Sequence, residues 1–256
     1  MPHTSDQIGR DPRRAAGVLL HPTSLPGSYG VGDLGDELTV FLDWAASAGM
    51  HLWQVLPLNP PGYGNSPYNC VSSVAGNPLL ISPQRLLQEQ LLAPEEFSEV
   101  PAFPAERVDF DRIVPWKAKL LRQAWNRFQV KNEEFERFLA EERDWLDDFA
   151  VYMAIKQREG GAPWWRWEAG SSRHESGTMR KALRDLRDEV QFQKFVQYLF
   201  FRQWGAVREA AHARGIQIMG DVPIYVAHDS ADVWANRELF QIDDRGEPIV
   251  VAGVPP

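Results

Sequence analysis

Three short apolar runs, each ending at or near proline or glycine, constrain this chain more than any other feature: residues 15–20 (AAGVLL), 52–56 (LWQVL) and 216–219 (IQIM). Runs of this length, without alternation, read as strands buried in a sheet. A helical pattern lies between the first two. Leu38, Phe41, Leu42 and Ala45 share one face, Asp36 is placed to cap it, and Gly49 to stop it. Strand, helix and strand with short connections form a βαβ unit, which pairs its strands in parallel through a right-handed crossover. The class is therefore α/β.

The intervening pattern is helical. From Pro83 to about Gly160, Trp116, Leu120, Leu121 and Trp125 recur at helical spacing, followed by Phe135, Phe138, Leu139, Trp145, Leu146 and Phe149. A loop at 160–177 carries Trp164, Trp165 and Trp167, and one long amphipathic stretch at 179–213 ends at Gly215 and feeds the third strand. Residues 240–254 form extended runs on either side of Asp243, Asp244, Arg245 and Gly246, a hairpin pattern. The expected organisation is a disordered tail at 1–14, the first βα units at 15–82, a mainly helical insertion subdomain at 83–178, and a continuation at 179–256. Three strands are fewer than half of the eight that close a (β/α)8 barrel, so the expected fold is a partial TIM barrel and the chain a fragment.

Charge and cysteine content narrow the function. A net charge of −8 opposes a nucleic-acid partner. The basic group Arg180, Lys181, Arg184 and Arg187 is interleaved with Asp185, Asp188 and Glu189, as on a solvated helix face. One cysteine, Cys70, excludes a disulfide framework and a multi-cysteine zinc site, and suits a reducing cytoplasm. Residues 1–14 lack the apolar core of a secretory signal, and no run has the length to span a membrane. Gly30, Gly32 and Gly35 satisfy GxGxxG, but they do not directly follow the first strand, as a dinucleotide site requires. With no GxxxxGK[ST] and no HExxH, neither cofactor nor metal is expected.

The loop after the second strand (NPPGYGNSPYNCVSSVAGN) sets Tyr63, Ser66, Tyr68 and Asn69 among turn formers, either to grip a polyhydroxylated ring or to pack the loop on the sheet rim. His21, after the first strand, is placed to donate to a sugar hydroxyl or to cap its own loop. Asp221 stands where the third strand ends, as a functional carboxylate or as a turn cap. Asp229 and Asp232 fall on a segment that starts a helix and supply no second strand-end carboxylate for glycosidic chemistry. Of the ten tryptophans, Trp44, Trp53, Trp116, Trp125, Trp145 and Trp204 fit core packing, whereas Trp164, Trp165 and Trp167 are the exposed candidates for stacking on sugar.

The motifs GVLLHPTSLPG, VLPLNPPGYGNSPYN, FFRQWG, GDVPIYVAHDSADVWAN and VAGVPP, in this order, closely resemble those of the 4-α-glucanotransferases known as amylomaltases and disproportionating enzymes, from about Ala15 to Pro256. The resemblance implies a decorated (β/α)8 barrel that moves α-1,4-glucan segments from maltooligosaccharides or starch- and glycogen-derived glucans to glucose or another sugar acceptor, by a retaining covalent mechanism. Its aspartate nucleophile and glutamate acid/base are expected after Pro256. The carried-over residues are Ser66 and Tyr68 near the cleavage subsite, Asp221 at the third strand, Tyr63 in an outer contact, and Gly253, Val254 and Pro255 at the start of a loop over the acceptor channel. Val114 stands where some relatives carry an outer aromatic residue. The competing expectations are a non-catalytic α-glucan-binding module or pseudoenzyme, and a helical interaction protein.

Overall fold

The computed structural model describes residues 15–97, 100–128, 131–223, 225–251 and 253, with Tyr63 described by its backbone alone. The expected tail at 1–14 lies outside these residues. Three parallel strands, β1 (Gly17–Leu19), β2 (Leu52–Gln54) and β3 (Gln217–Met219), form a sheet in the order β1-β2-β3. Val18, Trp53 and Ile218 lie in register, and the ladder is extended where Leu20 N–H donates to the Gln54 carbonyl and Val55 N–H to that of Met219, both at 3.0 Å. Because side chains alternate across a strand, these three share the face that the helices cover. Trp53 is fully buried there, its indole N–H donating to the Leu20 carbonyl at 2.8 Å. Leu19 and Met219 point the other way and are about half exposed. The expectation of buried strands is thus corrected for β1 and β3: only one sheet face is covered.

Helix α1 (Asp36–Ser47) buries Leu38, Phe41, Leu42 and Ala45 and stops where Gly49 takes φ +72°. Its N-cap is Gly35, which corrects the expected Asp36 cap; Asp36 and Glu37 occupy the first turn, where the helix dipole favours their charge. Trp44 is also corrected, since it lies half exposed on the outer side of α1 against Phe41. Helices α2 (Pro83–Gln88), α3 (Phe110–Arg127), α4 (Glu133–Glu141) and α5 (Arg143–Arg158) follow. The pattern expected to run from Pro83 is interrupted between α2 and α3, where one 3-10 turn, Pro94–Phe97, is the helical element among the described residues. After α6 (Ala169–Ser172), the stretch expected to be continuous breaks at Leu186 (φ −110°, ψ 23°) into α7 (Ser176–Asp185) and α8 (Arg187–Ala213). Arg180, Lys181, Arg184 and Arg187 are exposed, with Lys181 paired to Asp185 one turn on, as a solvated face requires. A short helix α9 (Ala231–Ala235) follows β3. The expected hairpin is present as the bridge between Ile242 and Pro248, closed by Asp243 N–H donating to the Glu247 carbonyl at 2.8 Å.

Two buried clusters organise the molecule. One joins the sheet to α1, α3 and the central face of α8; the other joins α5, Trp164, Trp167, α7 and α9. Polar groups placed inside fasten residues 76–82, the segment that leads from the β2 loop into α2. Gln197 of α8 accepts from Gly76 N–H at 2.7 Å and donates to the Gly76 carbonyl at 3.1 Å, and Gln203 accepts from Ser82 N–H at 2.8 Å. From α3, the ammonium of Lys117 reaches the Leu79 and Ile81 carbonyls at 2.6 and 3.0 Å, with Asp33 at 3.5 Å.

Among the aromatic rings between α4 and α8, burial and the hydrogen bond to Glu134 push the Tyr198 hydroxyl up to about 12; burial, with the nearby Asp229 carboxylate, raises Tyr152 too. Both groups favour the folded state while neutral. Their contribution is complete below the ordinary tyrosine value of about 10 and is lost as pH rises through the folded value. The urea midpoint is therefore expected to fall between about pH 10 and 12, the Tyr198 share being about 2 kcal/mol. Tyr198→Phe should flatten that fall; an unchanged alkaline slope in the variant would contradict the assignment.

Candidate functional site

All three strands run the same way, so their C-terminal ends meet at one edge of the sheet, where parallel α/β folds place their ligands. Three segments gather there: 20–25 after β1, 55–77 after β2, and 220–223 with 225–232 after β3. The second doubles back on itself. Gly62 N–H donates to the Asn69 carbonyl at 2.6 Å, Val71 N–H to that of Pro60 at 3.0 Å, and Pro61 bridges Cys70. Its tip is the 3-10 turn Tyr63–Asn65, in which Gly64 (φ +82°) and Asn65 (φ +55°) take the left-handed conformation that their residue types tolerate.

Ser66 and Tyr68 leave this tip together, the Ser66 hydroxyl oxygen accepting from Tyr68 N–H at 3.3 Å. The Tyr68 hydroxyl donates to the Asp221 carboxylate at 2.6 Å, although the two residues are 153 positions apart. That bond is the main reason the Tyr68 phenol sits above its ordinary range, ahead of burial and of the Asp221 charge. The second Asp221 oxygen accepts from Val222 N–H at 2.9 Å, so the turn-capping role also holds. Both side chains of the pair are solvent-facing.

His21 caps the 3-10 turn Pro22–Ser24, its Nδ1 2.6 Å from the Thr23 hydroxyl and accepting from Thr23 N–H at 3.3 Å. The capping alternative for His21 is therefore present. Burial lowers its pKa, the Pro57 carbonyl acting in the opposite direction. With Thr23, Asn59, Asn65 and Asn77 it lines a cavity of about 200 Å³; sequence reasoning singled out neither Thr23 nor Asn59. Gly253 is exposed, whereas Val254 and Pro255 lie outside the described residues, as does the side chain of Tyr63.

The tryptophan expectation is corrected. Trp164 and Trp167 are buried, their indole N–H groups donating to the His228 and Ala162 carbonyls at 2.7 and 2.8 Å. With its polar edge engaged and no face free, Trp164 packs the core and cannot stack on sugar. Trp165 is half-buried and lies flat on the His228 ring, centroids 4.1 Å apart. Asp229 accepts from the Tyr152 hydroxyl at 2.8 Å and pairs with Lys156 at 2.7 Å, while Asp232 accepts from Ser73. Both carboxylates are tied to the scaffold.

Parallel strands with helices between them, and polar side chains collected at their C-terminal ends, are the arrangement in which a (β/α) fold builds a ligand site. Residues 20–256 match glycoside hydrolase family 77, the 4-alpha-glucanotransferases, and the chain belongs to that family. It is 48% identical over 248 residues to 4-alpha-glucanotransferase of Thermus thermophilus, which accounts for 95% of this chain and 49% of the relative. It is 42% identical over 259 residues to the chloroplastic/amyloplastic 4-alpha-glucanotransferase of Solanum tuberosum, covering 96% of this chain and 45% of the relative. The solved structure of amylomaltase from Streptococcus agalactiae in complex with acarbose superposes with a TM-score of 0.91 at 35% identity, over 95% of this chain and 50% of that one. The chain thus spans about half the length of these relatives. Among the described residues, no helix is long and apolar enough to cross a membrane.

Proposed function

We propose that this chain supplies part of the glucan cradle of a 4-α-glucanotransferase, a protein that moves α-1,4-glucan segments from maltooligosaccharides or starch- and glycogen-derived glucans to glucose or a maltooligosaccharide by a retaining covalent mechanism. The observation that carries the reading is the Tyr68–Asp221 pair, a phenol and a carboxylate brought together at the ends of two parallel strands. An ionised carboxylate accepts two sugar hydroxyls as readily as it accepts Tyr68, and the phenol adds an apolar face beside a polar tip. Family membership and the acarbose complex of the Streptococcus agalactiae relative support the same ligand class.

In this reading Ser66, Tyr68 and Asp221 line the cleavage end of the groove, and Tyr63 makes an outer contact. His21 sits beneath the loop, and Gly253, Val254 and Pro255 begin the acceptor-side cover. The site's chemistry on this chain is binding, because Asp229 and Asp232 hold the scaffold and leave Asp221 without a second free carboxylate from its own segment. The single cysteine suits a reducing compartment, which we take to be the cytoplasm; the Solanum tuberosum relative is named as chloroplastic/amyloplastic.

Titration of the purified chain with maltopentaose, followed by tryptophan fluorescence or calorimetry, tests the cradle. Saturable binding is expected, weakened about tenfold or more by Asp221→Ala and by a smaller factor by Tyr68→Phe, the loss of a charge-assisted hydrogen bond exceeding that of a neutral one. Equal affinity in Asp221→Ala would remove the site. The 256-residue chain by itself is expected to form no glucan ladder from maltotriose, and ladder formation would assign catalysis to residues described here as structural.

A further inference from the structure

The two segments that carry Tyr68 and Asp221 are joined a second time at their roots. Both oxygens of Asp232 are used: one accepts from Ser73 N–H at 3.0 Å and the other from the Ser73 hydroxyl at 2.7 Å. Beside this clasp, Ala231 N–H donates to the Val71 carbonyl at 2.8 Å. The limb between Tyr68 and the clasp is short and held. Between Tyr68 and Ser73, Cys70 is fully buried and Ser72 nearly so, the Ser72 hydroxyl oxygen accepting from Val74 and Ala75 N–H. On the other limb, Ser230 caps α9 and Asp229 is held by Tyr152 and Lys156.

An exposed phenol–carboxylate bond is weak on its own, because water competes for both partners and two side chains must be ordered to make it. The Tyr68–Asp221 bond is exposed. It persists when its backbones are already at the right separation: Asp221 lies two residues beyond Met219, which the β2–β3 ladder holds, and the β2 loop that carries Tyr68 is held by the contacts of Asp232 and Ala231. Partly buried, charge-assisted bonds such as those of Asp232 to Ser73 are the stronger kind.

We infer that Asp232 is a positioning residue for the glucan site, clasping the β2 loop to the β3 segment through Ser73 and so fixing Tyr68 against Asp221. The inference rests on the proposed reading of that pair as a sugar site, and deepens it by assigning control of its geometry to a residue that touches no substrate.

The test uses the whole chain with tyrosine ring carbons labelled, Tyr68 assigned by its loss in Tyr68→Phe, and maltopentaose as the probe. In Asp232→Ala and in Ser73→Ala, the Tyr68 titration midpoint is expected to move down towards the ordinary value of 10.0, while Tyr198, on which Asp232 has no influence, keeps its raised midpoint. Maltopentaose affinity should fall on the order of tenfold, as misplacement of a binding group does. Asp232→Asn, whose amide accepts from Ser73 N–H and donates to its hydroxyl oxygen, should restore both readouts. An unmoved Tyr68 midpoint in Asp232→Ala and Ser73→Ala, with only the melting temperature lowered, would overturn the inference and leave the sugar site standing. A Tyr68 shift in a protein that does not bind maltopentaose would support the clasp and remove the proposed function instead.

Discussion

Lys117→Ala is expected to lower the free energy of unfolding by about 3–5 kcal/mol, the range for breaking a buried charged contact by deleting one partner. Lys117 is 2% exposed, and desolvation holds its ammonium below the ordinary lysine range despite Asp33. The substitution leaves the Leu79 and Ile81 carbonyls and the Asp33 carboxylate without their donor. Orphaned groups of this kind cost about 1–3 kcal/mol each. Urea unfolding of the two proteins measures the difference; a loss below about 1 kcal/mol would mean that water replaces the ammonium at no cost. Lys117→Met keeps the stem packed and is expected to fall between the two.

Gly76→Ala is expected to cost about 3 kcal/mol, at the upper end for overpacking a core. A Cβ built on Gly76 falls 1.9 Å from the Phe200 ring, a separation that no pair of carbons tolerates, and Gln197 grips both backbone groups of Gly76 so that the segment cannot move aside. The ring is held as well, buried on α8 and edge-on to Phe201 at 5.3 Å. Relief must therefore come from Phe200. The double variant Gly76→Ala with Phe200→Leu should recover part of the loss, giving a coupling energy of about 1 kcal/mol or more. Strict additivity in the cycle would show that the clash is absorbed elsewhere.

The parallel sheet was legible because its causes are local. Each apolar run contains its strand within a few residues, and Gly49 and Gly215 take positive φ after α1 and α8, as helix-ending glycines do. The break at Leu186 was not legible: ALRDLRDEV holds neither glycine nor proline, and the apolar period runs through it. Trp164 and Trp167 misled because polar neighbours suggested an exposed loop, while burial was decided by distant partners on α5 and α9. Lys117 gave no cue, since a lysine among apolar helix positions ordinarily snorkels, and the carbonyls of 79 and 81 together with the Asp33 carboxylate explain why this one stays inside. In the site, Asp221 stood out by its place at a strand end and Tyr68 by its loop. Their contact, and the clasp of Asp232 to Ser73 across 159 positions, depend on tertiary pairing that no local pattern encodes.

The register of β2 with β3 carries a consequence for how the chain is made. Trp53 pairs with Ile218, so β2 cannot gain its second neighbour on the ribosome until the segment after α8 has emerged. Helices α3 to α8 can form from near neighbours meanwhile, but the first two strands must wait with one edge unpaired. The entropy of closing so long a loop grows only logarithmically with its length. The delay is thus set by synthesis, at about 5–20 residues per second, and for that interval the edge of β2 that will receive β3 stays unpaired.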